Sequence, residues 1–185
     1  AENEITKLDS RSDVAELVMG VGRTINRPVS ALYSIPFAGL TEEGLPTFYI
    51  DAEHTQIAGP GNYDAIYFQE YENVDYLKYE GSIDPTITGS FGNTFSWKGL
   101  KLNVFFTYSF GNVLRLDDLC PVYSSDYSDL TASMKEMKNR WMVPGDEQLT
   151  TIPSIPTVRQ MREINALNNA YSAYNYSTER VAKGD

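Results

Sequence analysis

The sequence has very few of the residues that build covalent cross-links or metal centres. Its 185 residues include one cysteine, Cys120, and one histidine, His54. A single cysteine excludes an intrachain disulfide and a cysteine-cluster metal site. A single histidine excludes a metal site with two histidine ligands and a histidine-rich catalytic centre. No cofactor motif is present, and we expect no cofactor.

Positive charge is also scarce. There are 15 Lys and Arg against 25 Asp and Glu, which gives a formal net charge of −10. The resulting negative field repels phosphates, so nucleic acid is not expected as a partner. With this many carboxylates some pair falls at a glycosidase spacing by chance, but no spacing selects a pair. We therefore expect a protein that is not an enzyme.

Long apolar runs are missing as well. No run of 18 apolar residues occurs, which excludes a transmembrane helix. The strands of membrane barrels carry a weaker signal and are not excluded by this absence. The sequence has no initiator Met and no signal peptide, and both of its ends fall within apparent structural motifs. We expect these residues to be a piece of a larger protein.

The strongest pattern present is an alternation between Ile87 and Phe110. Most apolar side chains occupy odd positions as far as Trp97 and even positions from Leu100 onward. A period of two indicates strands with one apolar and one polar face. The parity changes across Lys98-Gly99, as a two-residue turn requires, because the residues that flank such a turn pair directly. The pattern predicts a β-hairpin.

The predicted register places Phe95 opposite Leu102 and Phe91 opposite Phe106, so the apolar side chains form one band across both strands. Each arm has about eleven residues and is about 36 Å long at roughly 3.3 Å per residue. At a tilt of roughly 40° it spans about 27 Å, close to the bilayer hydrocarbon thickness. The same alternation is typical of a hairpin in a soluble sandwich whose apolar face lies on a core. Both interpretations stay open on the pattern alone.

Residues 1–86 are predicted to form the end of a strand followed by a long loop. A short helix capped by Ser12, or alternatively a strand, is predicted over Asp13–Met19. Extended segments are predicted at Val29–Phe37 and Thr47–Asp51.

Tyrosines and acidic residues are concentrated in the second half of this flank. The tyrosines are Tyr63, Tyr67, Tyr71, Tyr76 and Tyr79. Tyrosine has a flat apolar face and a polar tip, which suits a sugar-binding surface. The alternative, which we favour, is a packed loop whose tyrosines fill a small core. Because exposed aromatic faces suit sugars, Tyr63, Tyr67 and Trp141 are the candidate ligand-contact residues.

Residues 111–185 are predicted to form a second long loop that carries short helices. Thr157 and Gln160 have the spacing of a capping box for a helix that runs through about Leu167. Asn168–Tyr176 is predicted to be a loop, and Ser177–Asp185 to be the approach to a further strand that the sequence does not include. A helical repeat precedes the capping box, at Leu130, Met134, Met137 and Trp141.

Four aspartates lie in the part of this flank that has no periodicity. They are Asp117, Asp118, Asp126 and Asp129. Their spacing fits no EF-hand loop, which requires alternate ligands and a glycine at its sixth position. A solvated acidic loop is therefore favoured over a calcium site.

Several segments together resemble the SusC/RagA family of TonB-linked outer-membrane transporters. The likeness covers most of the chain in the same order. The segments that carry it are Leu32–Leu40, Glu43–Tyr49, Gly81–Phe95, Trp97–Leu100, Phe106–Asn112, Asn139–Trp141 and Ser177–Asp185.

The resemblance implies an all-β fold in which 87–110 is one transmembrane hairpin of a large antiparallel barrel. Barrels of this architecture have about 22 strands and a plugged lumen. Residues 1–86 and 111–185 would then be long extracellular loops with short helices, and the turn at Lys98-Gly99 would be periplasmic. The implied location is the outer membrane of a Bacteroidetes cell, with the hairpin in contact with lipid.

The implied function is import of oligosaccharides or peptides, with a SusD-like surface lipoprotein as partner and TonB as the source of energy. The sequence contains no plug domain, TonB box or closing strand of that family, so TonB would act through parts absent here. The alternative function is a free-standing secreted or surface β-domain that binds glycans through exposed tyrosines.

Overall fold

The structure is a computed structural model that describes residues 4–119 and 135–184. The strands are β1 (Ala31–Ser34), β2 (Phe37–Leu40), β3 (Pro46–Tyr49), β4 (Ile57–Ala58), β5 (Lys78–Ser82), β6 (Ile87–Trp97), β7 (Leu100–Phe110), β8 (Val113–Arg115) and β9 (Val181–Lys183). The α-helices are α1 (Val14–Val18), α2 (Val158–Glu163) and α3 (Leu167–Asn175). Short 3-10 helices cover Tyr63–Ala65, Lys135–Asn139, Asp146–Gln148 and Thr178–Arg180.

The strands in the described ranges pair in small antiparallel sheets. β1 pairs with β5, β2 and β4 flank β3, β6 pairs with β7, and β8 pairs with β9. The helices between them are short. The predicted all-β character is therefore confirmed.

The register of the β6–β7 hairpin is the predicted one. Phe95 lies opposite Leu102 and Phe91 opposite Phe106, and the pairing continues without a shift from the turn to Ile87. The local alternation therefore determined both the strands and their register.

Both flanks of the hairpin contribute to one hydrophobic core. The buried side chains include Val14, Leu17, Val18, Ile35, Leu45, Phe48, Tyr63, Ile66, Tyr171 and Tyr174. These flanks, here called the body, therefore hold strands and a common core where we predicted mostly loop. Their assignment as extracellular loops, divided at residues 86 and 111, stays a prediction.

Arg115 of β8 ties separate parts of the body together. Its Nη2 donates to the main-chain oxygens of Val18, at 3.0 Å, and Tyr33, at 2.6 Å. Its Nη1 donates to Ser34 Oγ, at 3.1 Å, and to the main-chain oxygen of Ser177, at 3.0 Å. Burial lowers the pKa of the Arg115 guanidinium to about 10, so the group is still charged at neutral pH.

The helix near the N-terminus is present, but its cap differs from the predicted one. Asp13 is the N-cap of α1, and its Oδ1 accepts a 2.8 Å hydrogen bond from the Glu16 N–H. The predicted cap, Ser12, instead accepts a 2.9 Å hydrogen bond from the Arg23 N–H. Both residue types cap helices well. Asp13 is the cap here because the chain folds back at Arg23, whose N–H occupies the Ser12 hydroxyl.

The capping box at Thr157 and Gln160 is confirmed. However, α2 ends at Glu163 rather than near Leu167, and α3 occupies Leu167–Asn175, where we predicted a loop. The loop prediction was wrong because Asn and Ser are weak helix formers in isolation. A helix is stable here because one of its faces is buried, at Leu167, Ala170, Tyr171, Ala173 and Tyr174.

Two further predictions in the second flank differ from the structure. The helix predicted from Leu130 to Trp141 is described only as the 3-10 helix Lys135–Asn139, in which Met137 is buried. Leu130 and Met134 lie outside the described residues. Near the C-terminus we predicted only the approach to a strand outside the sequence, and this was wrong, because the segment itself contains β9, which pairs with β8.

Candidate functional site

The β6–β7 hairpin is exposed on both of its faces. One face, called the apolar band, consists of Ile87, Phe91, Phe95, Trp97, Leu100, Leu102, Val104, Phe106, Tyr108 and Phe110. Phe91, Leu102 and Phe106 are 61%, 57% and 61% exposed, so no core of the described residues covers them. An apolar surface of this extent marks a site that contacts lipid or another protein.

The opposite face of the hairpin is small and polar, with one exception. This polar face consists of Thr88, Ser90, Gly92, Thr94, Ser96, Lys101, Asn103, Phe105, Thr107 and Ser109. The exception, Phe105, lies opposite Gly92, and a Cβ at Gly92 would be 3.0 Å from its ring. Glycine at this position therefore leaves room for the ring to lie across the neighbouring strand.

A matching pair occurs on the apolar band. Gly89 lies opposite Tyr108, and a Cβ at Gly89 would overlap the Tyr108 phenol group. The Tyr108 ring also stacks on Phe110, with the ring centroids 5.9 Å apart. The open end of the hairpin, where it joins the body, therefore carries a flat aromatic surface.

The turn of the hairpin has the backbone that the two-residue spacing requires. Lys98 and Gly99 have φ angles of 45° and 90°, and a type I′ turn needs positive φ at both central residues. The ammonium of Lys98 lies 5.0 Å from the ring centroid of Trp97. The turn end therefore presents an aromatic ring and a positive charge, which is a combination suited to a membrane surface.

The body contains a second feature, a cleft of about 500 Å³ beside α3. Its lining residues are Ala15, Met19, Ile66, Tyr67, Phe68, Gln69, Asp118, Asn169, Ser172, Asn175 and Tyr176. This volume falls within the range of small-ligand sites in proteins.

The polar side chains of the cleft are mostly uncharged. Asn169 Nδ2 donates a 3.4 Å hydrogen bond to the main-chain oxygen of Ile66, and Asn175 Oδ1 accepts a 3.2 Å bond from the Leu119 N–H. Asp118 is the one carboxylate, and no Lys or Arg is among the described residues that line the cleft. This lining favours neutral or cationic ligands over anions.

The structure separates the two tyrosines predicted to contact a ligand. Tyr67 is 56% exposed and lies at the cleft. Tyr63 is 1% exposed, and its hydroxyl donates a 2.7 Å hydrogen bond to the main-chain oxygen of Pro46. Tyr63 was chosen because we expected its ring to be exposed, and the structure places that ring in the core. Contact between Tyr63 and a ligand stays a prediction, without the support of an exposed ring.

The packed-loop interpretation of the tyrosine-rich segment is correct for Tyr63 and Tyr76, which are both buried. It is wrong for Tyr67 and Tyr71, which are exposed to almost the same degree, 56% and 55%. Tyr71 does not line the cleft.

Trp141 lies away from the cleft and has a structural setting. Its Nε1 donates a 3.1 Å hydrogen bond to Glu147 Oε2, and its N–H donates a 2.9 Å bond to the main-chain oxygen of Ile152. The ring covers Gly44, where a Cβ would overlap it. Trp141 is half-buried, and its contact with a ligand stays a prediction.

The sequence analysis missed the α3 side of the cleft, at Asn169, Ser172 and Asn175. These residues lie in the segment predicted to be a loop. A signal was present, because Leu167, Ala170 and Tyr174 recur at helical spacing. Taking that spacing as a helix would have placed these polar side chains along one element.

The described residues include no group of three or more His, Cys, Asp or Glu side chains suited to a metal ion. Of the four aspartates considered for calcium, Asp126 and Asp129 lie outside these residues. None of the helices in the described ranges is both long enough and apolar enough to cross a membrane.

A solved structure is similar in fold along nearly the whole chain. It is described as the RagAB peptide importer in the "open-open" state, with 23% sequence identity and a TM-score of 0.50. The match covers 97% of this chain and 17% of the other, so this chain spans about a sixth of that protein's length. No family model matches the sequence, and no curated protein does either. The similarity shows a shared fold with part of an importer structure.

Proposed function

We propose that this chain is part of an outer-membrane nutrient importer of the SusC/RagA type, in which β6 and β7 are two strands of the barrel wall. The observation that carries this proposal is the exposed apolar band on a hairpin of membrane length. The similarity in fold to part of the RagAB structure supports it.

The dimensions of the hairpin fit a membrane-spanning role. Each strand has 11 residues, and a tilted transmembrane β-strand needs about 9–11. The apolar band would face lipid, and the polar face would line the interior of the barrel.

The unpaired outer edges of the hairpin also support a place in a barrel wall. In the described residues β6 pairs with β7 alone, so each strand has an outer edge of unpaired backbone groups. Such groups are costly in hydrocarbon, and closure into a barrel pairs them with neighbouring strands. We propose that other strands of the importer supply these pairs.

In the described ranges, the body joins the hairpin at the end opposite the turn. The Thr86 N–H donates a 3.1 Å hydrogen bond to the Phe110 main-chain oxygen, which closes the end opposite the Lys98-Gly99 turn. A hairpin that spans the membrane therefore puts the body on one side and the turn on the other. We assign the body to the cell exterior and the turn to the periplasm.

In this arrangement the body takes part in substrate capture. The cleft beside Tyr67 would contact an oligosaccharide or a peptide, and the outer surface of the body would contact a SusD-like lipoprotein. TonB would act through other parts of the importer. The role is transport, and no residue is assigned to catalysis.

A matched pair of arginine substitutions tests the assignment. Phe95 and Thr94 are adjacent in β6 but lie on opposite faces. Phe95→Arg puts a charge into lipid between the middle of β6 and its turn end and should cost roughly 1–3 kcal/mol, whereas Thr94→Arg points into the lumen and should be much milder. The measurement is the free energy of folding into lipid vesicles. Equal damage from the two substitutions would remove the lumen assignment.

The exposed Tyr67 ring at the cleft also favours a second candidate, a free-standing β-domain that binds glycans. Behaviour in buffer separates the two functions. A lipid-facing band predicts aggregation of the chain unless detergent is present. A monodisperse monomer that melts cooperatively without detergent would support the free-standing domain.

A further inference from the structure

The cleft beside α3 combines a carboxylate with aromatic rings. The Asp118 side chain is exposed and is the one carboxylate among the described lining residues. Tyr67, Phe68 and Tyr176 line the same cleft. The Tyr67 ring is 56% exposed, and the rings of Phe68 and Tyr176 meet edge to face with their centroids 6.2 Å apart. Aromatic faces and carboxylates both attract organic cations.

The end of α3 adds to the same preference. Ser172 and Asn175 lie in the last turn of this helix, and Tyr176 is its C-cap. The C-terminal end of a helix carries a partial negative charge, which favours a cation nearby. The chain as a whole has a formal net charge of −10, and such a field raises the local concentration of cations. The cleft is therefore negative both locally and through its surroundings.

Arg115 does not neutralise the cleft from within. Its Cζ lies 5.8 Å from the ring centroid of Tyr176, but its side chain is not among the lining residues. Both of its terminal nitrogens donate to oxygens of the body. Among the described residues, no ion pair joins Asp118 to a Lys or Arg side chain. The Asp118 carboxylate can therefore pair with a cation that enters from outside.

We propose that this cleft binds the cationic side chain of a lysine or arginine residue in an imported peptide. This inference rests on the proposed function and selects peptides over neutral oligosaccharides. The Asp118 carboxylate pairs with the ammonium or guanidinium group, and the Tyr67 ring stacks on it. The methylene stem of the ligand contacts the apolar part of the lining, at Ala15, Met19 and Ile66.

The amides of the cleft are less suited to a neutral sugar. Asn169 Nδ2 donates to the main-chain oxygen of Ile66, and Asn175 Oδ1 accepts from the Leu119 N–H. These bonds use part of the hydrogen-bonding capacity of both amides within the body. A sugar is held through many hydroxyl groups and needs several such partners, whereas a cation needs one carboxylate and an aromatic face.

Binding of three matched peptides to the full importer, purified in detergent, tests the inference. Each is a blocked pentapeptide with four alanines around a central lysine, N6-acetyl-lysine or glutamate, so no terminal charge is present. The acetylated side chain keeps the stem but has no charge. By isothermal titration, the lysine peptide should bind about tenfold more tightly than the acetyl-lysine peptide. The glutamate peptide should bind more weakly than both.

Asp118→Asn assigns this preference to the cleft. The substitution keeps the size of the side chain and removes its charge, so the tenfold preference should fall to about twofold. Binding of the acetyl-lysine peptide should not change, which shows that the variant is folded. Asp117→Asn is the matched control, because the neighbouring carboxylate does not line the cleft, and it should keep the full preference.

Three results would each overturn the proposal. They are no measurable binding of the lysine peptide, equal affinities for the lysine and acetyl-lysine peptides, and an undiminished preference in Asp118→Asn. The arginine pair described above separates this inference from the importer assignment. If Phe95→Arg is damaging and Thr94→Arg is mild but the peptides bind equally, the cation site alone is wrong. If the two arginines are equally damaging while the lysine preference holds, the importer assignment alone is wrong.

Discussion

The guanidinium of Arg115 donates a 2.6 Å hydrogen bond to the main-chain oxygen of Tyr33, a residue 82 positions earlier in the chain. The whole hairpin lies between them in sequence. The same side chain reaches Val18 and Ser177, so one half-buried cation joins α1, β1 and the segment before β9. The two flanks of the hairpin are therefore held as one body by a single side chain as well as by the core.

Arg115→Met should destabilise the body by about 3 kcal/mol or more. The substitution keeps the apolar stem but leaves several inward-facing carbonyl oxygens without a donor. Urea unfolding of the purified chain in detergent measures the change. Arg159→Met is the control, because its ion pair with Glu163 is exposed and should contribute less than about 0.5 kcal/mol. A similar small effect at Arg115 would show that its hydrogen bonds to the carbonyl oxygens are dispensable.

Gly44→Ala should cost about 2 kcal/mol or more. Gly44 has a φ of 74°, and an added Cβ would overlap the ring of Trp141. Gly61→Ala is the matched control, since a Cβ there meets no atom within 4 Å, and its stability should change by less than about 0.5 kcal/mol. Urea unfolding compares the two. Equal effects would argue that Trp141 does not lie over Gly44.

The contribution of Tyr76 to the stability of the body should be lost above about pH 10. Burial, with a contribution from the Glu70 carboxylate, raises the pKa of Tyr76 from its ordinary value of 10 to about 12. Burial also raises the pKa of Tyr63. A raised folded-state pKa gives stability that is complete below the unfolded value and is lost as the pH rises through 10 to 12. The loss from Tyr76 is on the order of 2 kcal/mol.

Circular dichroism and tyrosinate absorbance, followed against pH, measure this loss. Tyr76→Phe should remove its part of the alkaline slope. A slope that is identical in Tyr76→Phe would mean that this phenol is not protected from ionisation by the fold.

Tyr67→Ala should weaken ligand binding at the cleft about tenfold, because the exposed ring supplies a flat face for stacking. Tyr71→Ala is the matched control, with the same residue type and almost the same exposure but a position away from the cleft. Isothermal titration with panels of neutral oligosaccharides and of peptides provides the measurement. Equal losses in the two variants would remove the cleft as the binding site.

The hairpin could be predicted from the sequence because its pairing residues lie close together in the chain. Each residue of β6 pairs with a residue of β7 at most 23 positions away, and the turn fixes which residues pair. Faces, register and turn conformation all follow from the alternation and the two-residue spacing.

The fold of the body could not be predicted in the same way, because the contacts that stabilise it join residues far apart in the sequence. Nothing near Arg115 in the sequence indicates that Tyr33 and Ser177 will receive its hydrogen bonds. Tyr63 and Tyr67 are four residues apart in one acidic segment, yet the core covers the first and leaves the second exposed. Burial of one face likewise made α3 a helix despite its weak local propensity, and with it one wall of the cleft.

These two kinds of contact imply an order of events as the chain folds. The hairpin closes through a turn of two residues, so it can form as soon as Phe110 has been made. The body closes only later, because Phe37 donates a hydrogen bond to Thr178, which is 141 positions further along the chain. The two strands of the hairpin can therefore pair while the body is still open.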